Sequence, residues 1–166
     1  MTAGDGSLRS RLRALVPLWS GGEGFARSAR AGVPGPYKAV GRTQYMKHSE
    51  GFLRLVNDAK TRVKEIDLDG YRKLRASSDA HVLVDTREES EWAAGHVAGA
   101  IHLSKGTIER DIEGRVPDHA ATLVLYCGGG FRSALAADNL GKMGYTNAIS
   151  LDGGWRALKD SGLPLE

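Results

Sequence analysis

From residue 49 onward the chain alternates between short strand-like segments and longer segments with apolar residues at helical spacing. The short segments predict strands at 63–66, 81–86, 100–103, 121–127 and 147–151. The helical spacing predicts helices at 49–63, 67–78, 87–95, 106–113, 132–144 and 154–162. This alternation predicts a mainly parallel α/β sheet that is flanked by helices on both faces.

Local signals refine several of these predicted elements. Ser49 is a residue type that caps helix N-termini, and Gly95 and Gly144 stand where helices should stop. The consecutive apolar residues of 81–86 are typical of a strand that is buried on both faces, and 121–127 show the strongest strand pattern. The apolar face of the first helix is predicted to consist of Phe52, Leu55, Val56, Ala59 and Val63.

The first 45 residues differ in composition from the rest of the chain. They hold eight of the 22 glycines, three of the five prolines, and seven basic residues against two acidic ones. We interpret 1–45 as a basic, poorly ordered N-terminal extension and 46–166 as a single domain. Alternatives are that the amphipathic stretch within 1–20 directs the chain to an organelle or a membrane surface, or that translation starts at Met46.

The composition also excludes several classes of function. Residues 46–166 carry 16 basic and 18 acidic residues without a basic stripe, so we predict no nucleic-acid partner. The sequence has no apolar run of about 18 residues, which excludes a transmembrane helix. One cysteine cannot form an internal disulfide, which fits a reducing compartment, and we predict a cytoplasmic protein. The histidines show no metal-ligand spacing, so we expect neither a metal nor another cofactor.

The single cysteine, Cys127, lies where a catalytic thiol could be activated. It directly follows residues 122–126, so we expect it at the carboxyl end of a strand, where open α/β sheets place their sites. Three glycines, Gly128, Gly129 and Gly130, lead from it into a helix. Glycines let the backbone curl around a sulfur atom, and the free N–H groups at the helix start favour an anion there. A buried, inert cysteine is the alternative, but the glycine loop and the helix start favour a reactive thiolate.

Three stretches of the chain resemble the rhodanese-like sulfurtransferases. Residues 124–145 and 148–166 are similar to the active-site half of that family, and 82–103 are similar to its upstream signature around Asp85, Arg87 and His96. The resemblance covers about residues 64–166. It implies a single rhodanese-like domain with a five-stranded, mainly parallel sheet.

The resemblance also implies a mechanism. Cys127 would take a sulfane sulfur from a donor such as thiosulfate or a persulfide, hold it as a persulfide, and pass it to cyanide, a thiol or a protein cysteine. The persulfide cradle would comprise Gly128, Gly129, Gly130, Phe131, Arg132 and Ser133. The alternative is a persulfide carrier or protein-binding rhodanese module with weak turnover of small molecules. The physiological donor and acceptor and the oligomeric state stay open.

The length and charge of the loop bear on the choice of substrate. Four residues separate Cys127 from Arg132, one fewer than in the related phosphatase and arsenate-reductase loops, so the smaller ring favours a single sulfur atom over a phosphate. Gly128 stands where the thiosulfate enzymes often have an arginine, and Arg132 is the only charged residue of the loop. Phe131 could shape access to the cysteine.

Three upstream residues are assigned supporting roles by the resemblance. Asp85 and Arg87 would brace the active-site region, and Arg87 could also attract anionic donors. A helix cap and a surface charge are the alternative interpretations of this pair. His96 is predicted to hold its loop by hydrogen bonds rather than to act as a base, because an ionised thiol needs none.

Overall fold

The computed structural model describes residues 48–77 and 79–166. The predictions made for residues 1–45 therefore lie outside the described residues. The helices of the described part are α1 (Glu50–Lys60), α2 (Leu68–Ala76), α3 (Glu89–Ala93), α4 (Ile108–Arg115), α5 (Phe131–Lys142) and α6 (Gly154–Leu158). The strands are β1 (Lys64–Ile66), β2 (Val82–Asp85), β3 (Ile101–His102), β4 (Leu123–Tyr126) and β5 (Ala148–Leu151).

The five strands form one sheet in the order β1-β5-β4-β2-β3, and all neighbouring pairs are parallel. The predicted five-stranded α/β architecture is confirmed. Because every strand runs in the same direction, all five carboxyl ends meet at one edge of the sheet, which is where α/β proteins form their sites. β4 is the central strand, with β5 on one side and β2 on the other.

Successive side chains of β4 pack into two different cores, as the two-residue period of a strand requires. Leu123 and Leu125 join α4 and α5 on one face, whereas Val124 and Tyr126 join Tyr71 of α2 and further residues of α6 on the other. All four residues of β4 are fully buried. The helices therefore cover both faces, and the residue that follows β4 is placed at the centre of the carboxyl edge.

Caps confirm several of the predicted helix boundaries, whereas α1 and α6 end at Lys60 and Leu158, before the predicted residues 63 and 162. The Ser49 hydroxyl accepts a hydrogen bond from the Phe52 amide at 3.3 Å, which begins α1. Gly95 and Gly144 follow the ends of α3 and α5 and have φ angles of 131° and 101°, which favour glycine.

One part of the prediction for α1 is wrong. Val56 and Ala59 are buried, but Leu55 is 63% exposed. α1 packs against the rest of the domain through a stripe around Val56 and Ala59, which is narrower than the predicted apolar face. Leu55 lies outside this stripe, on the solvent side.

Candidate active site

The loop after β4 is wrapped around the sulfur of Cys127. The Gly130 amide donates a hydrogen bond to the Cys127 Sγ at 3.2 Å, and Cys127 is only 2% exposed. Gly130 has a φ of 94°, and a Cβ there would stand 3.1 Å from the Asp152 Oδ1. Only glycine fits this position without strain, and the turn it permits aims a backbone donor at the sulfur.

The carbonyl side of the same loop is held by α6. The Trp155 amide donates to the Cys127 carbonyl oxygen at 2.6 Å, and the Arg156 amide donates to the Gly128 carbonyl oxygen at 3.3 Å. A Cβ on Gly154 would overlap the Cys127 carbonyl oxygen. Because these carbonyls are bound by α6, the negative ends of the loop dipoles are directed away from the sulfur.

Two buried hydroxyl groups extend the hydrogen bonding beneath the sulfur. The Ser133 Oγ lies 3.7 Å from the Cys127 Sγ and 2.9 Å from the Ser150 Oγ. When Ser133 donates its proton to the sulfur, Ser150 can donate its own to Ser133. Both serines are fully buried. The Gly130 amide and the Ser133 hydroxyl are thus the two hydrogen-bond donors that reach the sulfur within the described residues.

The arginine of the loop is committed to acidic partners rather than to the sulfur. The Arg132 guanidinium donates to both carboxylate oxygens of Glu91 at 2.7 and 3.0 Å, and to the Glu88 carboxylate at 3.2 Å. The hydrogen bond from Arg132 lowers the pKa of Glu91, and Glu91 raises that of Arg132. Arg132 belongs to the rim of the site, and its charge is largely balanced there.

A cavity of about 800 Å³ opens above the sulfur. Its lining comes from the loop, from α3, from α6 and from the first residues of the described chain: His48, Phe52, Glu91, Cys127, Gly128, Gly129, Phe131, Arg132, Trp155 and Arg156. The predicted loop residues Gly128, Gly129, Phe131 and Arg132 therefore share one space with Cys127. This volume lies within the range of about 300–1,000 Å³ that is usual for small-molecule sites.

Asp85 and Arg87 form a buried pair at the end of β2. The Arg87 side chain donates to the Asp85 carboxylate at 2.7 to 3.0 Å and to the Gly95 carbonyl oxygen at 2.7 Å. Its guanidinium also lies 4.3 Å from the Trp155 ring centroid. Both charged residues are 2% exposed or less. The burial of Tyr126 and the neighbouring Asp85 charge both raise the pKa of the Tyr126 hydroxyl. This geometry fits a brace between β2 and α6 and not a surface charge.

His96 follows α3 and is held by contacts with Trp92 and Glu166. Its ring stacks on Trp92 with 3.3 Å between centroids, and its Nδ1 lies 3.3 Å from the Trp92 carbonyl oxygen. The His96 backbone exchanges two hydrogen bonds with Glu166, at 2.8 and 2.9 Å. These contacts suit the predicted loop-holding role.

No helix within residues 48–77 and 79–166 has the length and apolar character needed to cross a membrane. In the same residues, no three His, Cys, Asp or Glu side chains are grouped as metal ligands would be.

The fold and the loop define a class of protein, and comparison with known proteins identifies it. The family model of the rhodanese-like domain matches residues 68–161. The chain belongs to the rhodanese-like family.

The chain is also similar to individual curated proteins. It is 33% identical to thiosulfate sulfurtransferase PspE of Escherichia coli K12 over 81 residues, which are 49% of this chain and 74% of that protein. It is 35% identical to thiosulfate sulfurtransferase GlpE of Pseudomonas entomophila L48 over 97 residues, or 57% and 85% of the two chains.

Solved structures agree with the fold. A protein of unknown function from Rhodopseudomonas palustris CGA009, described as a possible tyrosine phosphatase, is 27% identical with a TM-score of 0.62. The match covers 72% of this chain and 97% of that one. A rhodanese-like domain protein from Staphylococcus aureus is 26% identical with a TM-score of 0.52, covering 61% and 97%.

Several residues of the site were not found by sequence reasoning. Ser150 is a hydroxyl within an otherwise apolar strand, and the glycine pair at 153–154 follows β5 at the same sheet edge as Cys127. Both are signals that could have been used. Glu91 has no comparable signal, because its role depends on how α3 lies against the loop.

Proposed function

We propose that the protein is a sulfurtransferase in which Cys127 carries the transferred sulfur as a persulfide. The observation that carries the proposal is the Gly130 amide at 3.2 Å from the Cys127 Sγ, at the base of an open cavity. Membership of the family and the named activities of the two curated relatives support it.

The proposed reaction has two half-reactions. The Cys127 thiolate attacks the sulfane sulfur of a donor such as thiosulfate, the bond from that sulfur to the rest of the donor breaks, and sulfite leaves with the bonding electron pair. The thiolate sulfur and the transferred sulfur then form a persulfide anion, whose charge is stabilised by the loop amides. Cyanide, a thiol or a protein cysteine removes the outer sulfur and restores the thiolate.

The orientation of Arg132 favours sulfur transfer over phosphate chemistry. Phosphoryl transfer needs cationic groups directed at the transferring oxyanion. Here the Arg132 guanidinium is directed at Glu91 and Glu88, so it offers little charge to a phosphate in the loop. A single sulfur, in contrast, is served by backbone and hydroxyl donors alone.

The test is the intact mass of the protein after incubation with thiosulfate. We expect a gain of one sulfur atom that is lost on adding cyanide, with stoichiometric thiocyanate released. Cys127→Ser should gain no sulfur, whereas Ser77→Ala, at the exposed end of α2, serves as a surface control. If the wild-type protein acquires no sulfur from thiosulfate or from any thiosulfonate, the proposal is wrong.

The same experiment separates an enzyme from a carrier. Steady-state thiocyanate formation identifies a sulfurtransferase with small-molecule turnover. Slow turnover combined with rapid transfer from the persulfide to a protein thiol identifies the carrier. Hydrolysis of p-nitrophenyl phosphate is expected to stay at the level of the Cys127→Ser variant.

We propose a cytoplasmic location, on the strength of the single cysteine and the absence of an apolar run long enough to span a membrane.

A further inference from the structure

Lys60, the last residue of α1, lies ahead of the matched family region and beside the cysteine loop. Its Nζ is 2.8 Å from the Glu65 Oε1 of β1 and 3.8 Å from the Asp152 Oδ1 that follows β5. It also lies 5.7 Å from the ring centroid of Phe131, within the range of a cation–π contact. One partly buried ammonium group therefore contacts residues of β1, of the end of β5 and of α5.

Two of these partners are next to Gly130, the residue whose amide donates to the reactive sulfur. Phe131 follows Gly130 directly and begins α5. Asp152 packs against Gly130, since a Cβ built on Gly130 would stand 3.1 Å from the Asp152 Oδ1 and 3.3 Å from the Asp152 Cα. The Asp152 amide donates to the Ile66 carbonyl oxygen at 2.8 Å, which holds its backbone at the end of β1. Gly130 is thus adjacent to two residues that both contact Lys60.

Lys60 is not placed to bind a sulfur donor itself. Within the described part of the chain, the lining of the cavity above Cys127 does not include Lys60. Its charge is also balanced by two carboxylates, those of Glu65 and Asp152. Because a small displacement of a catalytic group can lower a rate strongly, a residue that fixes the Gly130 amide at 3.2 Å from the sulfur affects persulfide formation.

We propose that Lys60 is a positioning residue for the cysteine loop. Through Asp152 and Phe131 it holds Gly130, whose amide is thereby directed at the sulfur. This role rests on the proposed sulfurtransferase function and adds to it a residue from outside the matched family region. Because Lys60 acts on the geometry of the loop and not on the donor, its loss slows the formation of the persulfide without weakening the binding of thiosulfate.

The test is stopped-flow loading of Cys127 over a range of thiosulfate concentrations. Lys60→Met keeps most of the aliphatic stem and removes the charge. It should lower the maximal loading rate about fivefold, since an ion pair and a cation–π contact at partly exposed positions are each weak. The half-saturating concentration of thiosulfate should stay unchanged. Lys60→Arg keeps the charge and should restore most of the maximal rate.

Lys105→Met is the matched control. The Lys105 Nζ lies 2.6 Å from the Glu109 Oε1, and the Lys105 side chain is 23% exposed, close to the 26% of Lys60. Neither Lys105 nor Glu109 lines the cavity above Cys127. Lys105→Met should therefore lose as little stability as Lys60→Met in urea denaturation and load at the wild-type rate.

A double-mutant cycle tests the path through Asp152. Asp152→Asn keeps the shape of the side chain and should slow loading by less than Lys60→Met, because the contact between Lys60 and Phe131 remains. If Lys60 acts through Asp152, the double variant Lys60→Met/Asp152→Asn should load no more slowly than Lys60→Met alone.

Three results would overturn the proposal while the wild-type protein still acquires sulfur from thiosulfate. The first is an equal loading rate in Lys60→Met and Lys105→Met. The second is a change confined to the half-saturating concentration, which would assign Lys60 to attraction of the donor. The third is a pair of rate losses that multiply in the double variant. Failure of the wild-type protein to load would instead overturn the sulfurtransferase function itself.

Discussion

β2 and β4 are neighbours in the sheet and end at the same edge, yet the polar groups that follow them have different environments. At the end of β2, Asp85 and Arg87 satisfy each other, and Arg87 is further bound to the Gly95 carbonyl oxygen and to Trp155. At the end of β4, Cys127 receives hydrogen bonds but lies beneath an open cavity.

The comparison teaches that position at a sheet edge does not decide between a structural and a chemical role. The Arg87 guanidinium is bound within the protein by Asp85 and Gly95 and lies against the Trp155 ring, and these contacts link β2 to α6. The Cys127 loop keeps its donors on the cavity side because α6 has bound its carbonyl groups. The Asp85–Arg87 pair and the Cys127 loop meet at α6, which contacts both.

Removing one partner of the Asp85–Arg87 pair should give the largest effect on stability. Asp85→Ala or Arg87→Ala leaves a buried charge without its partner, which costs about 3–5 kcal/mol in the free energy of unfolding. Urea denaturation measures the loss. The double variant Asp85→Leu/Arg87→Met should cost less than the sum of the two single variants, because no charge is left behind.

The control for this prediction is an exposed pair of the same residue types. Arg110→Ala breaks the ion pair with Asp111 on the surface of α4 and should leave the free energy of unfolding nearly unchanged. Comparable losses in the Arg87 and Arg110 variants would contradict the view that burial makes the first pair essential.

Most of the fold could be predicted from local patterns, because strands and helices differ in the spacing of their apolar residues. All five strands and six helices of residues 48–77 and 79–166 were predicted, and so was the position of Cys127 at the carboxyl end of a strand. The prediction for Leu55 was wrong because apolar spacing identifies a helix face but does not show which part of that face packs against other elements. The exposure of Leu55 depends on how α1 packs against the rest of the domain, which local spacing does not determine.

The parts of the site that sequence reasoning missed all depend on partners distant in the chain. Ser150 reaches Ser133 because β5 lies beside β4, and Ser150 is in register with Leu125. Glu91 binds Arg132 across 41 positions of sequence. Residue spacing could identify the cysteine loop as a candidate, but only the sheet order shows what surrounds it.

The contact between α6 and the cysteine loop can be broken with one methyl group. In Gly154→Ala the new Cβ would collide with the Cys127 carbonyl oxygen, and the residue would have to keep a φ of 50°. We expect the free energy of unfolding to fall by about 2 kcal/mol or more, and the rate of persulfide formation to fall more than tenfold, because the loop is displaced.

Gly162→Ala provides the matched control. Gly162 has a φ of 79° with nothing within 4 Å of the added Cβ, so it carries the backbone strain without the collision. It should lose about 1–2 kcal/mol of stability and keep its rate of persulfide formation. A similar loss of rate in both variants would show that α6 does not position the loop.

The hydroxyl groups beneath the sulfur should have smaller effects. Ser133→Ala removes a donor to the Cys127 Sγ and should lower the rate of persulfide formation about tenfold at pH 7. A factor of ten corresponds to about 1.4 kcal/mol, close to the smallest free energy that is usual for a hydrogen bond to a charged group. Ser150→Ala removes only the support of Ser133 and should lower the rate less. Stopped-flow loading with thiosulfate measures both rates. An effect at Ser150 that equals or exceeds that at Ser133 would rule out the proposed order of donors.

The Arg132–Glu91 pair should contribute least to stability. Both side chains are partly exposed, so Glu91→Gln should lower the free energy of unfolding by about 0–1 kcal/mol at pH 7. The hydrogen bond from Arg132 lowers the pKa of Glu91 from its ordinary value of 4.5. The stabilisation is therefore complete above pH 4.5 and is lost as the pH falls through the lowered pKa.

The two proteins should consequently become equally stable in acid. Denaturation curves of wild type and Glu91→Gln, recorded from pH 7 downward, are expected to differ at the neutral end and to converge once Glu91 is protonated. Glu109→Gln on α4, which breaks the ion pair with Lys105, gives a comparison for a carboxylate that does not line the cavity of Cys127. Glu91→Gln also removes one of the two carboxylates that balance the Arg132 charge and leaves Glu88 as the other, so the KM for thiosulfate should fall. Arg132 lines the cavity, so an unchanged KM would contradict the view that Glu91 balances the charge that Arg132 offers to a donor.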